Sequence, residues 1–123
     1  MRILVLETSK DRAKLIQGLL ETYRYQIKFG TGKFTLSEIR DFRPSLIIMN
    51  VNSRENVELL EKLKKHSRLA KIPVILLSNF NSREIMERIQ QFEHVDYLVE
   101  PFKIKNFRHI VERWVNFRSL YVG

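Results

Sequence analysis

Four stretches of this chain end on polar side chains directly after an apolar run. Glu7 and Thr8 follow "ILVL", Asn50 follows "LIIM", Ser78 and Asn79 follow "PVILL", and Glu100 follows "DYLV". The two glutamates offer carboxylate oxygens for a proton or a hard cation, and Thr8 and Ser78 offer hydroxyls. The amides of Asn50 and Asn79 donate and accept hydrogen bonds, but a neutral amide is a far poorer nucleophile than a carboxylate. No cysteine occurs, which removes thiol nucleophiles, disulfides and cysteine-ligated metal sites. His66, His94 and His109 lack the spacing of metal ligands and read as surface or boundary residues. There is no Ser/His/Asp or Cys/His arrangement and no zinc motif. With 4 glycines in 123 residues there is no glycine-rich loop to cradle phosphate either. No enzyme activity is expected.

For these positions to meet, the runs before them must lie side by side. Arg2 to Leu6 is a short apolar run with β-branched residues, as in a buried strand. "YQIKF" alternates, Leu46 to Met49 is the most continuous apolar stretch, and "IPVILLS" and "VDYLV" complete five strand candidates. Between them lie amphipathic stretches. Lys10 opens the first behind a Ser9 cap, with Ala13, Leu15, Ile16, Leu19, Leu20 and Tyr23 at helical spacing. Gly30 and Gly32 break the chain before "FTLSEIRDF", and Arg43-Pro44 ends that second helix. "VELLEKLKKH", "SREIMERIQQF" capped by Ser82, and a long final helix from Pro101 follow. Strand alternating with helix predicts an α/β fold, a parallel sheet covered on both faces. Right-handed crossovers make the doubly wound order 2-1-3-4-5 the natural one, with the functional crevice at the strand carboxyl ends. The expectation is one domain over residues 1–123.

The charge is basic, 22 Lys+Arg against 14 Asp+Glu for a net +8, a balance that attracts nucleic acid, anionic membranes or acidic proteins. It is spread through the chain, with +4 in residues 1–50 and +4 in the remainder, so no basic arm stands out. No apolar run approaches the roughly 20 residues that span a bilayer, and the run after Arg2 is too short for a signal peptide. A cytoplasmic protein without a membrane role is expected.

On these strand-end residues the chain resembles the response-regulator receiver family, CheY-like domains of two-component signalling with a flavodoxin-like (βα)5 fold. Receivers open with a strand running into two adjacent acids, where "ILVLET" has Glu7 and then Thr8. They carry a phosphorylatable aspartate after P-D-L-I-L-L, where "PSLIIM" leads to Asn50, and Thr or Ser after I-P-V-I-x-L, where "IPVILL" leads to Ser78. They carry K-P-F after D-Y-L-x, where "DYLV" leads to Glu100, Pro101 and Phe102. The departures fall on the reactive positions. Of three family acids only Glu7 remains, and Glu100 stands where a lysine would pair with the phosphoryl group. A carboxylate there opposes an incoming anion by roughly 4 kcal/mol per charge pair in a partly solvated site. Asn79 is larger than the residue usual beside the hydroxyl, and "VNSREN" replaces a longer loop with proline and glycine. The resemblance therefore implies a pseudo-receiver: a degenerate phosphoacceptor pocket of Glu7, Thr8, Asn50, Ser78, Asn79 and Glu100, with weak or absent magnesium binding and no other cofactor.

Simpler readings stand beside these. Asn50 is a turn former whose side chain bonds to nearby backbone, and Ser78 helps cap the next helix. Tyr97, at the place of the family's switch aromatic, is an ordinary strand aromatic. Glu7 and Glu100, neighbours by the resemblance, share a proton, hold a cation, or are relieved by a local Lys or Arg. The basic run "EKLKKHSRLAK" is a solvated helix face. Phe107, Trp114 and Phe117 form a stripe along the last helix, with core packing the default and part of it available to a partner.

The resemblance implies a protein partner (a kinase, an effector domain or a second copy) on the surface of the fourth helix, fifth strand and fifth helix. That surface would carry Arg83, Glu87, Asp96, Lys103, Lys105 and Arg113, a mixed-charge set suited to ion-pair-rich docking. The alternative is a nucleic-acid- or polyanion-binding domain on the same fold. The pI of about 10.0 motivates it, while the absence of a recognisable nucleic-acid motif weighs against it.

Overall fold

Apolar runs of four residues (Ile3 to Leu6, Leu46 to Met49, Val74 to Leu77) make strands that have no polar face, so both faces must be covered. In the computed structural model, which describes residues 1–30, 34–78 and 83–121 (side chains of 117–121 excepted), this is how the chain folds. Strands β1 (Arg2–Leu6), β2 (Gln26–Gly30), β3 (Leu46–Asn50), β4 (Val74–Ser78) and β5 (Val95–Val99) form one sheet in the order β2-β1-β3-β4-β5. Every pairing is parallel. Helices α1 (Lys10–Leu20), α2 (Leu36–Phe42), α3 (Arg54–Lys65), α4 (Arg83–Ile89) and α5 (Ile104–Tyr121) connect or follow them, and a 3-10 turn spans Leu69–Lys71.

The period-2 alternation of the strands sorts the core into two layers. Leu4, Leu6, Ile47, Met49, Val74 and Leu76 face α2, α3 and α4, where Ile39, Leu60, Leu63 and Ile89 meet them. Ile3, Val5, Leu46, Ile48, Ile75 and Leu77 face α1 and α5, meeting Ile16, Leu20, Phe107 and Val111. Each such side chain contributes about 1.5–3 kcal/mol when fully buried.

The helix starts are set by hydroxyl caps. Ser9 accepts from the Arg12 amide, as expected, and Thr35 and Glu38 form a reciprocal capping box. The third helix begins at Arg54, three residues ahead of the expected Val57, because Ser53 Oγ accepts from the Asn56 amide at 3.1 Å. The last helix begins at Ile104, after the expected Pro101. The Lys103 carbonyl receives the Asn106 and Phe107 amides, and Pro101, joined by a cis peptide to Glu100, precedes the helix. Helix α4 ends at Ile89, short of the expected Phe92. Gly30 belongs to β2 where a chain break was expected, and it serves close approach. A Cβ there would lie 2.7 Å from side-chain carbons of both Leu6 and Phe34. Gly32 and Ser82 lie outside the described residues.

Two polar anchors hold the turn after α3. Lys64 Nζ donates to the carbonyls of Ala70 (3.0 Å), Ile72 (3.1 Å) and Glu93 (3.0 Å). His66 Nδ1 accepts from the amides of Arg68 and Leu69, both at 3.2 Å.

Candidate functional site

Register brings the strand-end residues to one edge. Leu6 pairs with Met49, Asn50 with Leu77, and Ser78 with Val99, so Glu7, Asn50, Ser78 and Glu100 follow one another across the carboxyl ends of β1, β3, β4 and β5. The reversal of strand order falls between β1 and β3, where crevices form in such sheets. A shallow depression there is lined by Glu7, Thr8, Ser9, Arg12, Asn50 and Asn52.

Asn50 is 2% and Glu7 4% exposed, and they bond directly: Asn50 Nδ2 donates to Glu7 Oε1 at 3.0 Å. The same carboxylate oxygen accepts from the Ser9 amide at 3.1 Å. Asn50 Oδ1 accepts from the Asn52 amide at 3.1 Å, the turn-forming bond expected of an asparagine at a strand end. Asn56 Nδ2, from α3, donates to the Asn50 carbonyl at 2.9 Å. The one amide thus closes the turn and ties β3 to β1. Glu7 Oε2 is buried with no hydrogen-bond partner among the described residues.

Thr8 is exposed on the rim. Ser78 is fully buried, with its Oγ 3.4 Å from Asn52 Oδ1, and its carbonyl accepts the Glu100 amide. Among the described residues α4 begins at Arg83. Asn79 lies outside the described residues. Glu100 forms an ion pair with Arg12, a residue of the first turn of α1, with side chains 18% and 26% exposed. Of the alternatives for Glu100, a local basic residue is the one present. Sequence reasoning passed over Arg12, yet a signal existed: a cation in the first turn of a helix opposes the macrodipole and calls for a nearby anion.

The family's magnesium is a test of this donor set. Such an ion takes hard oxygen ligands, usually carboxylates, in an octahedron. Here Asn50 turns an N–H donor toward the one remaining carboxylate, its own oxygen is engaged by Asn52, and no cluster of three His, Cys, Asp or Glu side chains suited to a metal occurs among the described residues. These residues do not fit the ion.

The six residues expected on a partner surface include two internal ion pairs. Arg83 pairs with Glu87 at 3.6 Å along α4, and Arg113 with Asp96 at 3.6 Å between α5 and β5. Trp114 Nε1 also donates to Asp96, and His94 packs edge-on to the indole at 5.8 Å. Lys103 and Lys105 are exposed. Sequence reasoning passed over two exposed apolar side chains, Val99 (38%) at the end of β5 and Ile104 (52%) at the start of α5. Tyr97 is half-buried against the layer formed with α2, α3 and α4. Phe107 is fully buried and stacks on Phe102 at 5.5 Å. Trp114 is half-buried, and the Phe117 side chain lies outside the described residues.

Comparison with known proteins agrees with this architecture. A sequence model of the response regulator receiver domain matches residues 3–112. The polar-differentiation response regulator DivK of Brucella anthropi is 28% identical over 116 residues, covering 92% of this chain and 94% of that protein. A probable C4-dicarboxylate response regulator, DctR of Bacillus subtilis, is 23% identical over 94% of this chain, which spans only 50% of it. Among solved structures, a signal receiver domain of a histidine kinase from Syntrophus aciditrophicus aligns with a TM-score of 0.79 and 26% identity, covering 94% of this chain and 89% of that one. The Vibrio cholerae chemotaxis protein CheY4 aligns at 0.78 with 19% identity over 91% and 96% of the two chains, a likeness of fold. No described helix is long and apolar enough to cross a membrane. With the parallel sheet, the strand-end crevice and a family match over most of its length, this chain belongs to the response regulator receiver domain family.

Proposed function

We propose that this chain is a single receiver-like domain that acts in two-component or phosphorelay-type signalling as a phosphorylation-independent protein-interaction module. The observation that carries this reading is the Asn50 amide, buried and bonded to Glu7 where the family's phosphoryl-accepting carboxylate would stand. A neutral amide is a poor nucleophile. The Arg12–Glu100 pair adds to it by occupying the far side of the crevice with a satisfied charge pair in place of a lysine awaiting an anion. What remains is a fixed polar cluster joining the loops after β1 and β3. The output surface is the one formed by α4, β5 and α5, where Val99 at the end of β5 and Ile104 between Lys103 and Lys105 supply exposed apolar area. Its partner is a protein: a kinase, an effector domain or a second copy. Magnesium and other cofactors play no part.

Incubation with a small phosphoryl donor and magnesium tests this. The intact mass should stay unchanged, for the native chain and for Asn50→Asp alone, because Thr8 and Glu100 remain. A gain of one phosphoryl group, lost under alkaline hydroxylamine, would overturn the reading.

A further inference from the structure

The net charge of +8 is dispersed along the sequence, yet folding gathers much of it at one place. At the opposite end of the sheet from the strand-end crevice lies an open depression lined by Arg2, Arg40, Arg43, Arg68, Lys71 and a single acid, Asp41. These side chains come from the start of β1, the end of α2 and the turn after α3. Pro44, Leu69 and Ile72 complete the lining between them.

The cations divide by role. Arg2 is a strut: its Nη1 donates to the Phe42 carbonyl at 3.0 Å and its guanidinium sits over the Phe42 ring. Arg40 lies 3.6 Å from Asp41 and offsets it. Arg43, Arg68 and Lys71 are exposed and have no ion-pair partner among the described residues. Their backbones are nonetheless fixed. Arg43 caps α2 in the left-handed conformation (φ 54, ψ 58), a place that favours glycine. Arg68 is held by the His66 imidazole, and the turn beyond it by Lys64. A cationic side chain kept where glycine would fit better, beside two others on a pinned turn, is an arrangement that costs folding and favours binding.

We propose that this depression is a second docking surface, distinct from the strand-end crevice and from the α4–β5–α5 face, and that it binds an acidic protein segment. Arginine forks match carboxylates in bidentate geometry, and the buried Pro44, Leu69 and Ile72 form a firm floor between the cations. Nucleic acid fits less well. Among the described residues no aromatic side chain lines the depression for bases to stack on, and the cations project from helix ends and a turn in place of a helix that could enter a groove. The proposal stands whether or not Asn50 accepts phosphate.

The test uses the full chain, a synthetic peptide of alternating Glu and Leu, and a single-stranded oligonucleotide. Amide chemical-shift mapping should place the peptide on Arg43, Arg68, Leu69 and Lys71. Arg68→Glu with Lys71→Glu should weaken peptide binding about tenfold or more, in keeping with the loss of several charge pairs. Arg43→Gly, which suits the left-handed backbone, should raise the thermal midpoint while lowering affinity, so that weaker binding is not confused with unfolding. Shifts confined to α4, β5 and α5, affinity unchanged in both variants, or tighter binding of the oligonucleotide than of the peptide would each overturn the proposal.

Discussion

Glu100 shows how one residue changes the character of a pocket. Beside Arg12 it completes an ion pair that is mostly shielded from solvent, so its charge belongs to a local structure that spans from α1 to the segment after β5. Replacing it by the lysine typical of receivers should not restore receiver behaviour. Glu100→Lys sets two cations against each other, and with the pair about three-quarters or more buried the loss should be about 1–2 kcal/mol, more than an exposed pair would give. Urea denaturation of Glu100→Lys, Arg12→Ala and the double variant measures this. Arg12→Ala should recover most of the stability lost in Glu100→Lys, because it removes the repulsion. If Glu100→Lys is as stable as the native chain, the pair has no structural weight. The Asn50–Glu7 bond is the companion case: a buried donor facing a buried carboxylate, a pairing that would be lost in any variant with a second acceptor.

At the scale of elements, the turn between α3 and β4 is governed by Lys64, whose ammonium binds three backbone carbonyls from two loops. Burial pushes its pKa down from 10.5 to about 8, partly opposed by Glu93. Between those values the unfolded chain holds a proton that the folded chain has released, so this group makes folding more favourable as pH rises from about 8 to 10.5. Tyr23 acts with the opposite sign. Burial and its bond to Glu112 raise it from 10.0 to about 12, so the unfolded chain loses its proton first and stability falls across that window. Stability should therefore climb above pH 8 and turn over beyond 10. Lys64→Met should abolish the climb and cost about 2 kcal/mol near neutrality, from the carbonyls left without a charged donor. A climb of equal size in Lys64→Met would place its origin elsewhere. This anchor was illegible in the sequence, where Lys64 stood inside a basic run that read as a solvated helix face. The elements themselves were legible, because the apolar run of β3 and the cap at Ser9 are local signals. The starts of α3 and α5 were not. Ser53 caps the helix four residues ahead of the first apolar position, and Pro101, a common first helical residue, here belongs to the segment before the helix.

For the molecule as a whole, the legible part of the site was its row of strand-end residues, since parallel register alone aligns them. What could not be read was which distant groups would join them. Arg12 reaches Glu100 across 88 positions of sequence, and the basic depression draws on residues from 2 to 71. Nor did the pattern show that the final helix begins with an exposed Ile104 or that the edge strand of the sheet ends on an exposed Val99. That exposure decides how the α4–β5–α5 face should bind. Arg83 pairs with Glu87 and Arg113 with Asp96, whereas Lys103 and Lys105, on either side of Ile104 in sequence, have no ion-pair partner among the described residues. Rim charges act chiefly on encounter, and a buried apolar anchor acts chiefly on residence. For a partner protein recovered on this face, Lys103→Glu with Lys105→Glu should slow association about tenfold at low salt and change dissociation little, with the difference shrinking as ionic strength rises. Ile104→Ala should instead hasten dissociation and leave the salt dependence intact. Stopped-flow or surface-binding kinetics on the two variants separates these effects, and equal kinetics for both variants and the native chain would remove this face from the docking surface.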